Sequence, residues 1–321
     1  MPLSPTVWRL LPYKIEMYKI EKGYHNKMEQ KVREDFSKTS LSPGSQKQHA
    51  KKLAEWIEHT EEKTIDGIIN NPEMALQTLS SIETIKQTAT NRHLFISAIV
   101  AYLTHVMKEA KEPLKTWKEI QKRNSEPMSE HYASNQPTEQ QKDKWMEYSS
   151  ILQRRDELEK GSFERLLLCF YTMMEPIRAD YFSTEIVKEG SESKEENYII
   201  CSDTDARIVI QDFKTKKSHE RIENVLPAEL YEELKTSLTR YPRSYLFVTD
   251  DKKTPFTRKM FSNWACKALT RVLKHAMTLT VLRHLYITEK IKEKTPLEQM
   301  KEIAKKMGHT RDMQRVYGWR E

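Results

Sequence analysis

The sequence predicts a multidomain, mainly helical protein that carries a small antiparallel sheet in its second half. Three observations favour this class. The chain of 321 residues is long enough for about two domains of roughly 150 residues each. Apolar residues recur at helical spacing over most of the chain, and strand-like runs are confined to residues 184–226. Only 7 glycines are present, which disfavours Gly-rich phosphate loops and glycine-punctuated β-sandwiches.

The first helical domain is expected over residues 40–122, after a polar, helical N-terminal extension at 1–39. The turn LSPGSQ precedes its first helix, with Ser45 as the expected N-cap. Two further helices are expected at 72–86 and after residue 90, because apolar residues recur there every three or four positions. The outer faces of this bundle carry cationic side chains that suit an anionic partner: Lys51, Lys52 and Arg92.

A polar segment bounded by prolines, RNSEPMSEHYASNQP at 123–137, has the composition of an interdomain linker. The second domain, 138–321, begins with helices expected at 142–158 and 162–174. Four short runs rich in Ile and Val then predict the strands, at 184–187, 198–201, 207–213 and 221–226. Helices resume at 227–238, 258–275, 281–292 and 296–307. Helices, then strands, then helices again predict an α+β second domain.

Charge is unevenly distributed along the chain. The net charge is +7, but residues 161–250 carry five more acidic than basic side chains, and residues 251–321 carry ten more basic than acidic ones. Cations mixed with aromatic residues are typical of a surface that binds a polyanion, and a solvated helical face has the same composition. Charge alone therefore leaves both interpretations open.

Cysteine and hydropathy patterns exclude other classes of protein. Cys169, Cys201 and Cys266 are isolated in the sequence, which excludes a disulfide scaffold or a CxxC zinc site and favours a reducing intracellular compartment. The longest apolar stretch, 94–103, spans about half of the roughly 20 residues that a bilayer requires. No His, Asp or Glu cluster has the spacing of metal ligands, so no metal site is predicted.

Three segments carry the candidate functional residues: MMEPIRADYF at 173–182, TLTVLRHLYITEK at 278–290 and IAKKMGHTRDMQRVYGW at 303–319. Together they resemble the tyrosine recombinase (phage integrase) family over most of residues 40–321. That family has an arginine after a catalytic-domain helix, a lysine on a β-hairpin and an H-x-x-R box on a later helix. A G-H dipeptide and a nucleophilic tyrosine eight or nine residues beyond it complete the set. The matching catalytic positions here are Arg178, Lys214, Arg283, His309 and Tyr317.

The resemblance implies a core-binding domain of SAM-like helical fold followed by an α+β tyrosine recombinase catalytic domain. It also implies an enzyme without metal or cofactor, which cuts and rejoins double-stranded DNA through a 3′-phosphotyrosyl intermediate. The first box, Pro-x-Arg-x-x-Tyr, and the eight residues from His309 to Tyr317 are most similar to recombinases of large DNA viruses and their mobile elements.

The chemistry explains why these residue types are needed. Two arginines suit the charge that builds on the phosphate oxygens, because each guanidinium can donate two parallel hydrogen bonds. Tyr317 would attack as the nucleophile, and His309 would bind the phosphate or assist proton transfer. A hairpin lysine would protonate the leaving oxygen. Lys214, Lys216 and Lys217 are all candidates for that role, and Lys214 is favoured because it ends the predicted strand.

Three features depart from the family pattern. Thr280 stands where the H-x-x-R box has histidine; it can hydrogen-bond a phosphate but cannot transfer a proton, so slower chemistry is expected. His284 lies one residue beyond Arg283, about 100° away around the helix, and is expected to be a packing residue. Four residues follow Tyr317, where many family members have a helix that couples protomers, so residues 1–39 are expected to mediate assembly instead.

The resemblance also implies a homotetramer on DNA, with no small-molecule substrate and no membrane association. The expected DNA contacts are Lys51, Lys52, Arg92 and Thr280. Two alternatives stay open: a type IB topoisomerase, which shares the fold and the phosphotyrosine chemistry, and a degenerate recombinase that only binds DNA. An intracellular location is predicted, in the nucleus of a eukaryotic host or in another viral or cellular DNA compartment.

Overall fold

The structure, a computed structural model, describes residues 26–82, 88–191, 196–213, 216, 221–249, 251, 253–308, 310, 314 and 316–319. The chain divides into two compact units, Met1–His131 and Tyr132–Glu321, each with its own hydrophobic core. The described residues are mainly helical and include a four-stranded sheet in unit 2, which confirms the predicted fold class.

Unit 1 is a bundle of helices. They are α1 (26–37), α2 (Pro43–Glu58), α3 (Ile65–Asn70), α4 (Pro72–Ser81), α5 (Ala89–His105) and α6 (Lys111–Ser134). Four of them begin at a side-chain oxygen that accepts a hydrogen bond from a first-turn N–H: Ser42, Thr64, Asn71 and Thr88. The cap of α2 is Ser42 and not Ser45, because Pro43 suits the first helical position and the Ser45 N–H donates to Ser42 Oγ (3.2 Å).

Two tryptophans lie at the centre of unit 1. Trp56 of α2 and Trp117 of α6 are fully buried, and their rings meet edge to face with centroids 5.7 Å apart. Their indole N–H groups donate to the backbone carbonyls of Ala75 (3.0 Å) and Ile69 (3.3 Å), so both buried donors are satisfied. Phe36 of α1 is fully buried in the same core. The described part of the predicted extension, 26–39, therefore belongs to the bundle, and residues 1–25 lie outside the described residues.

The segment 123–137 is helical for most of its length, although its composition predicts a linker. Helix α6 continues through it to Ser134, with Pro127 inside the helix, and the division between the units falls at His131. The segment contains Arg, Glu, Met, Ala and Gln, which are good helix formers, so a solvent-exposed helix can have much the same polar composition as a linker. The domain limits at 40–122 and 138–321 stay predictions.

The sheet of unit 2 is mixed, which corrects the prediction that it is antiparallel. Its strands are β1 (Glu185–Lys188), β2 (Tyr198–Cys201), β3 (Ala206–Ile210) and β4 (Ile222–Val225), in the order β1-β2-β3-β4. β2, β3 and β4 pair antiparallel, but β1 pairs parallel to β2, with Glu185 opposite Tyr198 and Lys188 opposite Cys201. A strand of four residues measures roughly 13 Å. The connection 189–197 is therefore long enough to lead from the end of β1 back to the level of its beginning, where β2 starts in the same direction.

The helices of unit 2 are α7 (Glu139–Lys142), α8 (Tyr148–Glu157), α9 (Phe163–Thr172), α10 (Ala228–Arg240), α11 (Arg258–Leu273), α12 (Leu279–Lys292) and α13 (Leu297–Lys306). The helix predicted at 142–158 is shorter in the structure, because α8 begins only at Tyr148 and the short helix α7 ends at Lys142. The other helices lie within about two residues of their predicted limits, a difference typical of helix ends.

A buried ion pair joins three helices of unit 2. Arg165 of α9 donates from Nε to Glu233 Oε2 of α10 at 2.9 Å, and both residues are less than a tenth exposed. The Nη1 group of Arg165 also donates to backbone carbonyls at the end of α8, and the other Glu233 oxygen accepts from the Gly161 N–H (2.7 Å). Both Glu233 carboxylate oxygens and the Nε and Nη1 groups of Arg165 thereby gain hydrogen-bond partners, which a buried charge requires.

Candidate active site

The candidate site is built around the first half of α12. Thr278 caps this helix by accepting a hydrogen bond from the Val281 N–H (3.2 Å). The residues from Val281 to Thr288 are all buried, so α12 runs through the core of unit 2 and not over its surface. A cation on such a helix needs partners on neighbouring segments, and Arg283 has them.

Arg283 joins two segments that are far apart in the sequence. Only 1% of the residue is exposed; its Nε donates to the Pro176 carbonyl at 3.0 Å and its Nη1 donates to Tyr317 Oη at 3.1 Å. The guanidinium carbon also lies 4.9 Å from the centroid of the Tyr317 ring. Burial and the nearby charge of Arg178 lower the pKa of Arg283, although a guanidinium stays protonated in proteins. The site therefore holds a fixed cation directly against a phenol.

Tyr317 is the second component, and its ring lies inside the protein. The residue is 7% exposed, and its ring stacks on the imidazole of His284 with centroids 4.3 Å apart. On the far side of that imidazole lies the ring of Trp319, also 4.3 Å away and tilted by only 10°. This arrangement agrees with the expectation that His284 is a packing residue, and the residue on which it packs is Tyr317.

Arg178 is half-buried on the loop that follows α9, close to Pro176 and Ile177. Tyr171 Oη donates to its backbone carbonyl at 2.7 Å, which fixes the loop at this residue. The charge of Arg178 contributes to lowering the pKa of Arg283, so the two guanidinium groups are electrostatic neighbours. The structure thus brings together Arg178, Arg283 and Tyr317, three of the five predicted catalytic residues.

Asp180 is a site residue that the sequence reasoning did not single out. It is 4% exposed and forms an ion pair with Arg258 at the start of α11. Burial raises the pKa of Asp180, and the charges of Arg258, Arg178 and Arg283 oppose that rise. This buried carboxylate therefore pairs with Arg258 and is also influenced by the charges of Arg178 and Arg283. The sequence shows that Asp180 lies two residues after Arg178. Only the fold shows that Arg258, which is 78 residues further along the chain, forms an ion pair with Asp180.

The other two predicted catalytic residues, Lys214 and His309, lie outside the described residues, as does Lys217. Their preceding neighbours are described: Phe213 is buried, and a Cβ on Gly308 would lie 3.6 Å from Phe213 Cε2. Gly308 has φ +65°, the left-handed conformation that glycine adopts most readily. Lys216 is exposed, and its Nζ pairs with Asp212 Oδ1 of the same turn at 2.7 Å.

The predicted DNA contacts have different environments. Lys51 and Thr280 are exposed, and Thr280 lies on the first turn of α12. Lys52 pairs with Glu55 at 3.0 Å and lies over the Phe95 ring (4.1 Å to the centroid), so its ammonium is already engaged. Arg92 is half-buried, and its Nε has no hydrogen-bond partner in the part of the chain described.

No group of three or more His, Cys, Asp or Glu side chains among the described residues is arranged to hold a metal ion. None of the helices described combines the length and hydropathy needed to cross a membrane.

Known structures were compared with the chain as a whole. No protein-family model matches it, and no curated protein does. The chain is similar to a XerA recombinase, at 12% identity over 92% of this chain and 94% of that one, with a TM-score of 0.41. It is also similar to a XerH site-specific recombinase bound to its difH substrate, at 15% identity over 87% and 76%, with a TM-score of 0.49. A lambda integrase dimer bound to a COC′ core site aligns at 11% identity over 91% and 94%, with a TM-score of 0.45.

Proposed function

We propose that this chain is a tyrosine-type DNA recombinase, which breaks and rejoins double-stranded DNA with Tyr317 as its nucleophile. The observation that carries the proposal is the hydrogen bond from Arg283 Nη1 to Tyr317 Oη (3.1 Å) beside a second arginine. A phenol held against a fixed cation is suited to attack a phosphodiester, because the same cation can then bind the phosphate oxygens.

The reaction would proceed by transfer of the phosphoryl group to Tyr317. Its Oη gives up its proton as it attacks phosphorus, the bond to the 5′-oxygen breaks and that oxygen takes up a proton, so the net proton transfer is from the phenol to the leaving group. The resulting 3′-phosphotyrosyl link keeps the bond energy for religation. Arg178 and Arg283 neutralise the charge on the non-bridging oxygens. By family resemblance, Lys214 protonates the leaving 5′-oxygen and His309 contacts the phosphate or assists proton transfer.

The resemblance extends the proposal to the assembly and to the origin of the protein. Four protomers on double-stranded DNA would exchange two pairs of strands. Lys51, Arg92 and Thr280 would contact the DNA backbone; Lys52 is a weaker candidate because of its pairing with Glu55. The Pro-x-Arg-x-x-Tyr box and the spacing of His309 and Tyr317 favour a viral or mobile element.

Covalent trapping tests the chemistry. The protein is incubated with a pool of nicked suicide duplexes of randomised sequence, and a denaturing gel is read for a protein–DNA adduct. We expect an adduct with the unmodified protein and none with Tyr317→Phe. Tyr148→Phe is the matched control: Tyr148 Oη is buried without a hydrogen-bond partner among the described residues, so removing it breaks no contact there.

Two results would overturn the proposal. An adduct that persists in Tyr317→Phe would mean that another residue is the nucleophile. DNA binding without an adduct on any duplex would identify a protein that binds DNA only reversibly. This alternative is supported by the presence of threonine, which has no imidazole, at position 280.

A further inference from the structure

The C-terminal segment 316–319 lies along one stripe of α12. The stripe consists of His284, Thr288 and Ile291, which repeat at helical spacing and so share a face. His284 Nδ1 lies 2.9 Å from the Tyr317 carbonyl, and the Trp319 N–H donates to Thr288 Oγ1 at 3.1 Å. Because a carbonyl can only accept, the imidazole proton is on Nδ1.

The segment has little freedom within this contact. A Cβ on Gly318 would overlap Ile291 Cδ1, so the backbone lies directly against the helix. Trp319 is 5% exposed and packs against the Trp145 ring, with centroids 5.5 Å apart and the ring planes tilted by 35°. The tyrosine is therefore held at its carbonyl, at its ring and through the residue that follows Gly318.

We propose that His284 is a positioning residue, which holds the Tyr317 ring against Arg283 of the same chain before DNA is bound. The inference rests on the proposed function, and it assigns His284 no part in proton transfer. Its imidazole fills the space between the Tyr317 and Trp319 rings, and its Nδ1–H fixes the backbone of the nucleophile. Pre-alignment of this kind raises the rate of attack because the reacting group does not have to be ordered during the reaction.

The form of the imidazole suits this role. Burial lowers the pKa of His284 to about 4, and the charge of Arg283 acts in the same direction, so the ring is neutral at pH 7. A neutral ring can stack between two aromatic rings and leave Arg283 as the cation of the site. A charged imidazole would instead place a second buried cation beside Arg283.

Single-turnover cleavage separates positioning from folding and from binding. We expect His284→Ala to lower the rate of adduct formation by roughly 10- to 100-fold, because small displacements of a reacting group carry penalties of this size. DNA affinity should stay within about two-fold, since His284 is buried and does not face the substrate. His284→Asn keeps a donor near Nδ1 and His284→Phe keeps the stacked ring, so each should restore part of the rate. His275→Ala is the matched control, because His275 is a second histidine of unit 2 and lies outside α12.

A substrate with sulfur in place of the 5′-bridging oxygen identifies the step that fails. Sulfur leaves without being protonated, so this substrate rescues a variant that lacks the general acid. We expect it to rescue Lys214→Ala and to leave the defect of His284→Ala unchanged, because the fault lies in the nucleophile. Rescue of His284→Ala would mean that His284 acts in proton transfer and would overturn the inference.

Hydrogen exchange of the peptide that ends the chain gives a readout that does not require cleavage. We expect amide exchange at 316–319 to be faster in His284→Ala than in the unmodified protein or in His275→Ala. If the unmodified protein forms no adduct, the proposed function fails, and exchange still tests the contact. If adducts form but all folded His284 variants cleave at the unmodified rate, the positioning role is wrong and the proposed function stands.

Discussion

Acidification should lower the free energy of unfolding of unit 2, because burial lowers the pKa of His284 in the folded protein. The size of the loss follows from the difference between the folded and the unfolded pKa. The folded pKa of about 4 lies below the ordinary histidine value of 6.5, so the unfolded chain takes up a proton first. The contribution of His284 to the free energy of unfolding is therefore fully present above pH 6.5. It decreases as the pH is lowered from 6.5 to 4 and does not decrease further below pH 4. Between pH 7.5 and pH 5 the loss works out at about 2 kcal/mol, with a limiting slope of about 1.4 kcal/mol per pH unit.

The measurement compares the unmodified protein with His284→Phe. Phenylalanine keeps the ring between Tyr317 and Trp319 but cannot titrate, and it loses the Nδ1–H bond at a cost of about 1 kcal/mol that does not depend on pH. Urea unfolding is followed at pH 7.5 and pH 5 by hydrogen exchange on peptides of α12, which reports on unit 2 alone.

Other titrating groups cancel in this comparison because both proteins contain them. Asp180, for example, has a raised pKa and shifts stability in the opposite direction, but equally in the two proteins. The difference in the free energy of unfolding between the two should change by about 2 kcal/mol between the two pH values. A change below about 0.5 kcal/mol would refute the reasoning, since it would mean that the imidazole takes up its proton in the folded state without loss of packing.

Three further outcomes are expected. Glu233→Ala should lower the free energy of unfolding of unit 2 by about 3–5 kcal/mol in urea titrations, because it leaves the Arg165 guanidinium buried without its carboxylate. Gly308→Ala should lower it by about 1–2 kcal/mol, since φ is +65° at that residue; thermal unfolding checks this. If DNA is the ligand, Lys51→Gln should reduce the slope of log affinity against log salt by about one, whereas Lys52→Gln should leave the slope unchanged, because Lys52 is already paired.

Local patterns predicted the helices of this fold well, and strand direction poorly. The apolar period of 281–292 is a property of neighbouring residues, and α12 lies at Leu279–Lys292. The direction of β1 depends instead on the path of residues 189–197, which no local pattern records. Proline and polar residues likewise predicted a linker at 123–137, although an exposed helix has a similar composition.

The candidate site shows the same limit. Resemblance to a family pointed to Arg283 and Tyr317, which are 34 residues apart and share a hydrogen bond. It could not show that Asp180 pairs with Arg258, because that contact depends on how α11 packs against the loop after α9. An ion pair within one helix is easier to predict from the sequence. Glu55 follows Lys52 by three residues, which is a spacing at which such pairs form.

The resemblance would place a histidine at position 280, where this chain has threonine. The positions of Thr280 and His284 on α12 explain why His284 does not take over that role. Thr280 and His284 are four residues apart, so they lie on nearly the same side of the helix and about 6 Å apart along its axis. Thr280 is exposed on the first turn, whereas His284 is covered by the rings of Tyr317 and Trp319. An imidazole at 280 would be in contact with water, where it could exchange protons near neutral pH. At 284 its pKa falls to about 4 and its Nδ1–H is bonded to the Tyr317 carbonyl, so what it supplies to the site is geometry and not a proton.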